Sequence, residues 1–234
     1  MSEGACQVLC TALPAGAGSE ARLRRQLDRD ALQRIDRLHR AEDRLRSMLG
    51  RLLLRHALRA RGLCDRAWQV EPGPYGKPRL RGPALPEFNL SHAGQWVVCA
   101  VAPSPVGIDI EQVRAIDLGI ARRFFQCGEY AALLARPEPE RCDYFFRLWT
   151  AKEAYVKALG LGLQRDFASF RVTLSGDGAA RLHDPTLPPP RLALAHLACP
   201  AGYRLALCGA ASWATAGAGP APSCTMVDIG QLAP

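Results

Sequence analysis

The chain has no apolar run long enough to cross a bilayer, so no membrane partner is expected. Its first residues lack the pattern of a secretory leader: Glu3 stands where a basic segment is needed, and Pro14 with nearby glycines and serines breaks the apolar stretch. No Cys-x-x-Cys pair occurs, although nine cysteines are present (Cys6, Cys10, Cys64, Cys99, Cys127, Cys142, Cys199, Cys208 and Cys224). Several lie inside apolar, strand-like runs such as Val97-Val98-Cys99-Ala100. Disulfide and zinc frameworks therefore give way to small buried hydrophobes in a reducing compartment. The expectation is a soluble, cytoplasmic protein.

Positive charge, by contrast, is abundant. Thirty Lys and Arg stand against 22 Asp and Glu, a formal charge of +8 with pI near 9.2. That balance points to an anionic partner: nucleic acid, a membrane surface, a phosphorylated cofactor or an acidic protein. The 234 residues are enough to bury a sizeable core, as one domain or two small ones. Leu23, Leu27, Ala31, Ile35 and Leu38, then Leu45, Met48, Leu49, Leu52, Leu53, Ala57 and Leu58, recur at helical spacing. They predict one interrupted or two consecutive amphipathic helices over residues 21–61, with Gly62 as the stop. A strand is expected at 7–12, a turn-rich loop at 72–86, and a hairpin of strands 88–91 and 96–102.

Pro103-Ser104-Pro105 is a stiff connector, and the expected boundary falls there, between subdomains at 1–103 and 104–212. The second is expected to repeat the element order of the first: a strand at 106–110, helices at 116–134 and 144–159, then strands at 170–174, 191–198 and 203–208. Residues 213–234, rich in Ala, Gly and Pro, are expected to form a partly disordered tail.

Two runs carry the chemistry. In Gly107-Ile108-Asp109-Ile110-Glu111, Asp109 and Glu111 share one face of a strand while Ile108 and Ile110 face the core. Carboxylates converging from one strand suit a hard cation such as Mg²⁺, although an ordinary half-exposed strand has the same pattern. In Trp149-Thr150-Ala151-Lys152-Glu153-Ala154-Tyr155-Val156-Lys157, Glu153 lies between two lysines on a helix. Glu153 and Lys157 are also spaced as a surface ion pair, which stabilises a helix by only about 0.2–0.5 kcal/mol. A purely structural helix has no need of the ending Ala158-Leu159-Gly160-Leu161-Gly162-Leu163 that follows. Together the runs describe a divalent-metal site amid positive charge, suited to moving a phosphate-linked group.

These two runs resemble the paired motifs of the Sfp-type 4'-phosphopantetheinyl transferases, and every fixed position of the second is present from Trp149 to Leu163. Gly76-Lys77-Pro78 and Asn89-Leu90-Ser91-His92 are similar to that family's two upstream motifs. Arg40-Ala41-Glu42-Asp43 through Arg46 and Gly50 to Arg55 resembles its early helix. The resemblance implies an α+β fold of two similar halves related by a pseudo-twofold axis, each a mainly antiparallel sheet packed with helices. It also implies Mg²⁺, with Mn²⁺ as an alternative, held by Asp109, Glu111 and Glu153. Coenzyme A would be cradled by Arg46, Lys77, Ser91, His92, Asp109, Lys152 and Lys157. Glu153 would serve as general base, and Lys157 would stabilise the leaving 3',5'-ADP. The nucleophile would be a serine of an acidic acyl or peptidyl carrier protein, and the enzyme a monomer. For Arg46, Ser91 and His92, structural hydrogen bonding stays open beside phosphate binding. Arg122, Arg123, Phe124 and Phe125 are candidate carrier contacts, with burial in the core as the other reading for both phenylalanines.

Two other functions share some of these features. A metal-dependent phosphodiesterase or nuclease would use the same carboxylates, but no further acidic or histidine cluster accompanies them. A nucleic-acid-binding protein would use the arginine-rich helices, yet Asp28, Asp30, Asp36, Glu42 and Asp43 interrupt the positive stripe. The expectation is therefore no nucleic-acid partner. Nothing in the sequence separates fatty-acid, polyketide and nonribosomal-peptide carriers.

Overall fold

Alternate residues of a strand face opposite ways, so a strand that is apolar at every position must be covered on both sides. Trp96–Ala102 is such a strand. The computed structural model describes residues 5–16, 18–175, 179–186, 192–214 and 222–232. In it, Val97, Cys99 and Val101 pack under a helix, while Val98 and Ala100 pack against a second sheet.

The N-terminal part runs β1 (Gln7–Ala12), α1 (Ser19–Arg24), α2 (Arg29–Ile35), α3 (Ala41–Arg59), β2 (Gln69–Pro72), β3 (Pro78–Arg81), β4 (Glu87–Ala93) and β5 (Trp96–Ala102). The C-terminal part runs β6 (Gly107–Gln112), α4 (Leu118–Phe124), α5 (Cys127–Leu134), α6 (Glu138–Leu159), β7 (Arg171–Leu174), β8 (Ala180–His183), β9 (Leu192–Leu197), β10 (Tyr203–Ala210) and β11 (Cys224–Met226). One sheet has the order β11-β1-β5-β4, antiparallel except for β1 with β11; the other, β6-β10-β9, is antiparallel throughout. β2 with β3 and β7 with β8 form two-stranded ribbons. The expected α+β class with mainly antiparallel sheets holds.

Each sheet is backed by one long helix. Met48, Leu49, Leu52 and Leu53 of α3 close over β1 and β5, and Leu148, Ala151, Ala154 and Tyr155 of α6 close over the second sheet. Between the sheets lies a third core of Val8, Cys10, Val98, Ile108, Ile110, Leu205 and Leu207. All nine cysteines are unpaired, with Cys10, Cys99 and Cys208 buried. Among the described residues, no helix is long and apolar enough to cross a membrane.

Several element boundaries depart from the sequence reading for local reasons. The helical stretch at 21–61 is three helices, because Asp28 accepts the Ala31 N–H (2.7 Å) and starts α2 afresh. The helix expected at 116–134 breaks after Phe124, where Gln126 and Glu129 form a capping box that opens α5. The loop expected at 72–86 contains the β2–β3 ribbon, turned at Pro74–Gly76. In the expected tail, Cys224–Met226 pairs with β1, and Val227 and Leu232 bury themselves under the first sheet. Apolar side chains there gain a core that composition alone does not reveal. The expected strand start at Arg191 lies outside the described residues.

Candidate active site

The two sheets meet where β4 runs beside β6, and the site is built on that seam. Gly107 permits the close approach of α6 to β6. A Cβ there would lie 2.0 Å from the Ala154 carbonyl oxygen and 2.3 Å from the Ala158 nitrogen. With the helix so near, Asp109, on the face of β6 opposite Ile108 and Ile110, looks toward α6. Its Oδ1 accepts from Lys157 Nζ at 2.6 Å and from the Ser91 hydroxyl at 2.8 Å. Lys157 also donates to Ser91 Oγ at 3.2 Å. Gly160, in the left-handed region at φ 71°, then ends α6.

These groups open into a cavity of about 290 Å³ lined by Leu90, Ser91, His92, Asp109, Glu111, Glu153 and Lys157. Strand and helix thus bring the three expected carboxylates to one space. Burial raises each of them. Asp109 is pushed up chiefly by desolvation, with Lys157 and Ser91 pulling the other way. Glu111 is pushed up to about 7 by burial and then by the Asp109 charge. Glu153 rises by burial, which Lys157 opposes and Asp109 reinforces. His92, also in the lining, has its pKa held below the ordinary value by desolvation and then by the Arg46 and Lys157 charges. Three carboxylates face one ammonium in this lining, so the cavity is acidic.

A divalent cation suits this lining. Asp109 Oδ2 is buried and has no hydrogen-bond partner, a costly condition that a cation at the carboxylates would relieve. Among the described residues, no three acidic, histidine or cysteine side chains stand together closely enough to hold a metal ion as they are placed. Asp109, Glu111 and Glu153 share one cavity lining without forming a preassembled cage, and a cation there would need further oxygens from water or substrate.

Arg46 is half-buried at the start of α3, donating to the Gly94 carbonyl (2.9 Å), Asp43 (2.9 Å) and Glu42 (2.9 Å), and so braces the β4–β5 turn beside His92. Lys77 donates to the Val106 carbonyl at 3.0 Å, tying the β2–β3 ribbon to the entry of β6, and burial lowers its pKa. Lys152 requires a correction. It is fully buried, donating to the carbonyls of Phe167 (2.8 Å) and Phe170 (2.9 Å) and pairing with Glu129 at 2.9 Å. An ammonium whose three protons are spent inside the C-terminal core has none left for coenzyme A. Phe125 is likewise buried in that core, and Phe124 packs edge-on against Trp149 at 5.8 Å. Arg122 and Arg123 are exposed.

In the sequence the one signal for Glu129 is the capping-box spacing Gln126-x-x-Glu129. Its carboxylate accepts from the N–H groups of Gln126 (2.8 Å) and Val172 (2.6 Å) as well as from Lys152.

The chain is thus an α+β protein whose two sheets meet at a cavity lined by three carboxylates and a lysine. Residues 105–208 match the family model described as the 4'-phosphopantetheinyl transferase superfamily, and residues 20–104 match the 4'-phosphopantetheinyl transferase N-terminal model. The chain is 38% identical over 181 residues to the 4'-phosphopantetheinyl transferase Sfp of Bacillus subtilis, covering 76% of this chain and 80% of that one. It is 41% identical over 167 residues to the 4'-phosphopantetheinyl transferase psf-1 of Bacillus pumilus, covering 71% of each. The crystal structure of Thermotoga maritima holo-[acyl-carrier-protein] synthase aligns with 44% of this chain and 61% of its own, at TM-score 0.38 and 24% identity. The chain belongs to the 4'-phosphopantetheinyl transferase superfamily and is an enzyme of that type.

Proposed function

We propose that this enzyme transfers the 4'-phosphopantetheine arm of coenzyme A to a serine hydroxyl of an apo carrier protein, with release of 3',5'-ADP. The observation that carries this reading is the cavity where Asp109, Glu111 and Glu153 meet Lys157 and His92, in a chain of this superfamily. Asp109, Glu111 and Glu153 would hold Mg²⁺ or Mn²⁺, which when bound offsets negative charge on the pyrophosphate. Glu153 accepts the proton of the attacking serine. The serine oxygen forms a bond to the β-phosphorus while the bond from that phosphorus to the bridging oxygen breaks, and the electron pair leaves with 3',5'-ADP. Lys157 stands beside Asp109 to stabilise the charge that builds on the leaving phosphate.

His92 and Ser91 close the N-terminal wall of the cradle. Arg46 and Lys77 shape it through the Gly94 and Val106 carbonyls that they hold. Ser91 and His92 come from one half, and Asp109, Glu111, Glu153 and Lys157 from the other, so one chain completes the site and a monomer suffices. The charge of +8 favours encounter with an acidic carrier. Nine unpaired cysteines suit a reducing cytoplasm.

Intact-mass spectrometry of an apo carrier protein incubated with the enzyme, coenzyme A and Mg²⁺ tests the reading. The carrier is expected to gain one phosphopantetheinyl arm, and EDTA to prevent the gain. No gain on acyl and peptidyl carriers alike would refute it.

A further inference from the structure

The seam between the halves is not an ordinary ladder. One edge of β6 pairs with β10, through Ile108 opposite Leu207 and Ile110 opposite Leu205. Along the other edge, β4 supplies side chains in place of backbone. The Ile108 N–H donates to Asn89 Oδ1 at 2.8 Å, and the Ile110 N–H to Ser91 Oγ at 3.4 Å. Both bonds are buried, and they flank Asp109 on either side. The Ile108 bond is the shorter, and its acceptor is a planar amide on a strand already paired with β5 at Asn89 opposite Ala100. Ser91 is shared among Ile110, Asp109 and Lys157, so it is a weaker anchor. Asn89 is not among the residues that line the cavity.

We propose that Asn89 is a positioning residue: by holding the Ile108 amide it fixes β6 against β4, so that Asp109 meets Lys157 and Ser91 in a single geometry. The inference rests on the transferase reading for its catalytic consequence, but not for its structural one. Misplacing a reacting group by about 1 Å costs roughly a hundredfold in rate, so loss of this anchor is expected to act on turnover rather than on substrate binding.

Asn89→Leu matches the size of the side chain and removes the acceptor, whereas Asn89→Asp keeps it. In Asn89→Leu, kcat for arm transfer is expected to fall by about 10- to 100-fold, with KM for coenzyme A within about twofold of wild type. Asn89→Asp is expected to restore kcat to within about threefold, because the acceptor oxygen returns to Ile108. Amide hydrogen exchange gives a readout that needs no activity: at least about tenfold faster exchange is expected at Ile108 and also at Ile110 in the leucine variant.

If the leucine variant does not fold, Asn89→Ala carries the same expectations for exchange and turnover. A variant with normal kcat per folded molecule, or faster exchange confined to Ile108, would overturn the proposal. So would an aspartate variant as slow as the leucine one. If the wild type transfers no arm, the transferase reading falls, and the exchange pattern at Ile108 and Ile110 still decides whether Asn89 holds the strand.

Discussion

Replacing Lys152 by methionine separates a residue that holds coenzyme A from one that holds the protein together. The side chain has 0% exposure, and its partner Glu129 has 1%. Methionine keeps most of the apolar stem but strips three acceptors of their donor: Glu129 Oε2 and the carbonyls of Phe167 and Phe170. The Glu129 carboxylate stays buried beside the Gln126 and Val172 amides with its counter-charge gone. Breaking a buried pair from one side costs about 3–5 kcal/mol. For a chain of this size each kcal/mol lowers Tm by about 2–4 °C, so the expected fall is roughly 6–20 °C. Lys152→Met combined with Glu129→Gln removes the stranded charge and is expected to recover more than half of that loss. Thermal melts and urea titrations read stability. Steady-state kinetics on the folded fraction at low temperature read KM for coenzyme A, which is expected to stay within about twofold of wild type. A variant with unchanged Tm and a sharply raised KM would refute the buried assignment and return Lys152 to the cradle.

Other expectations follow from the same geometry. Gly107→Ala places a methyl 2.0 Å from the Ala154 carbonyl oxygen and 2.9 Å from the Lys157 carbonyl carbon. Moving α6 off β6 to relieve that clash is expected to lower kcat by about a hundredfold and stability by about 1–3 kcal/mol, read by turnover and urea midpoint. Glu111, pushed from 4.5 up to about 7, binds its proton more tightly in the folded protein than in the unfolded one. Its contribution to stability therefore falls as pH rises from 4.5 to 7 and is level above that range. Glu111→Gln is expected to gain stability relative to the metal-free wild type across that window, and parallel urea-midpoint curves would contradict the assignment. Mg²⁺ is expected to raise the Tm of the wild type more above pH 7 than at low pH, where the raised carboxylates are protonated.

The sequence was most legible where chemistry coincides with a short period. Gly-Ile-Asp-Ile-Glu fixes a strand, its two faces and the direction of both carboxylates within five residues, because alternation is a local property. The lysines of α6 show the limit of that reasoning. Lys152 and Lys157 are equally charged in the sequence, yet Lys157 lines the cavity and Lys152 is buried. The difference depends on Glu129, 23 residues upstream, and on carbonyls 15 and 18 residues downstream. The strand at Cys224–Met226 was hidden for a similar reason, since three residues beside β1 carry no periodicity of their own. Asn89 read as part of a motif, but its partner is a backbone N–H on another strand, which sequence does not display.

Asp109→Asn asks whether arm transfer occurs at the carboxylates lining the cavity. The amide keeps the size of the side chain and an acceptor for Ser91, but removes the charge that meets Lys157. Equal amounts of wild type and folded variant would be incubated with apo carrier protein, coenzyme A and Mg²⁺, and the carrier weighed intact over time. Complete gain of the arm is expected with wild type and none with the variant over the same interval. Equal rates of gain would place the chemistry elsewhere in the molecule.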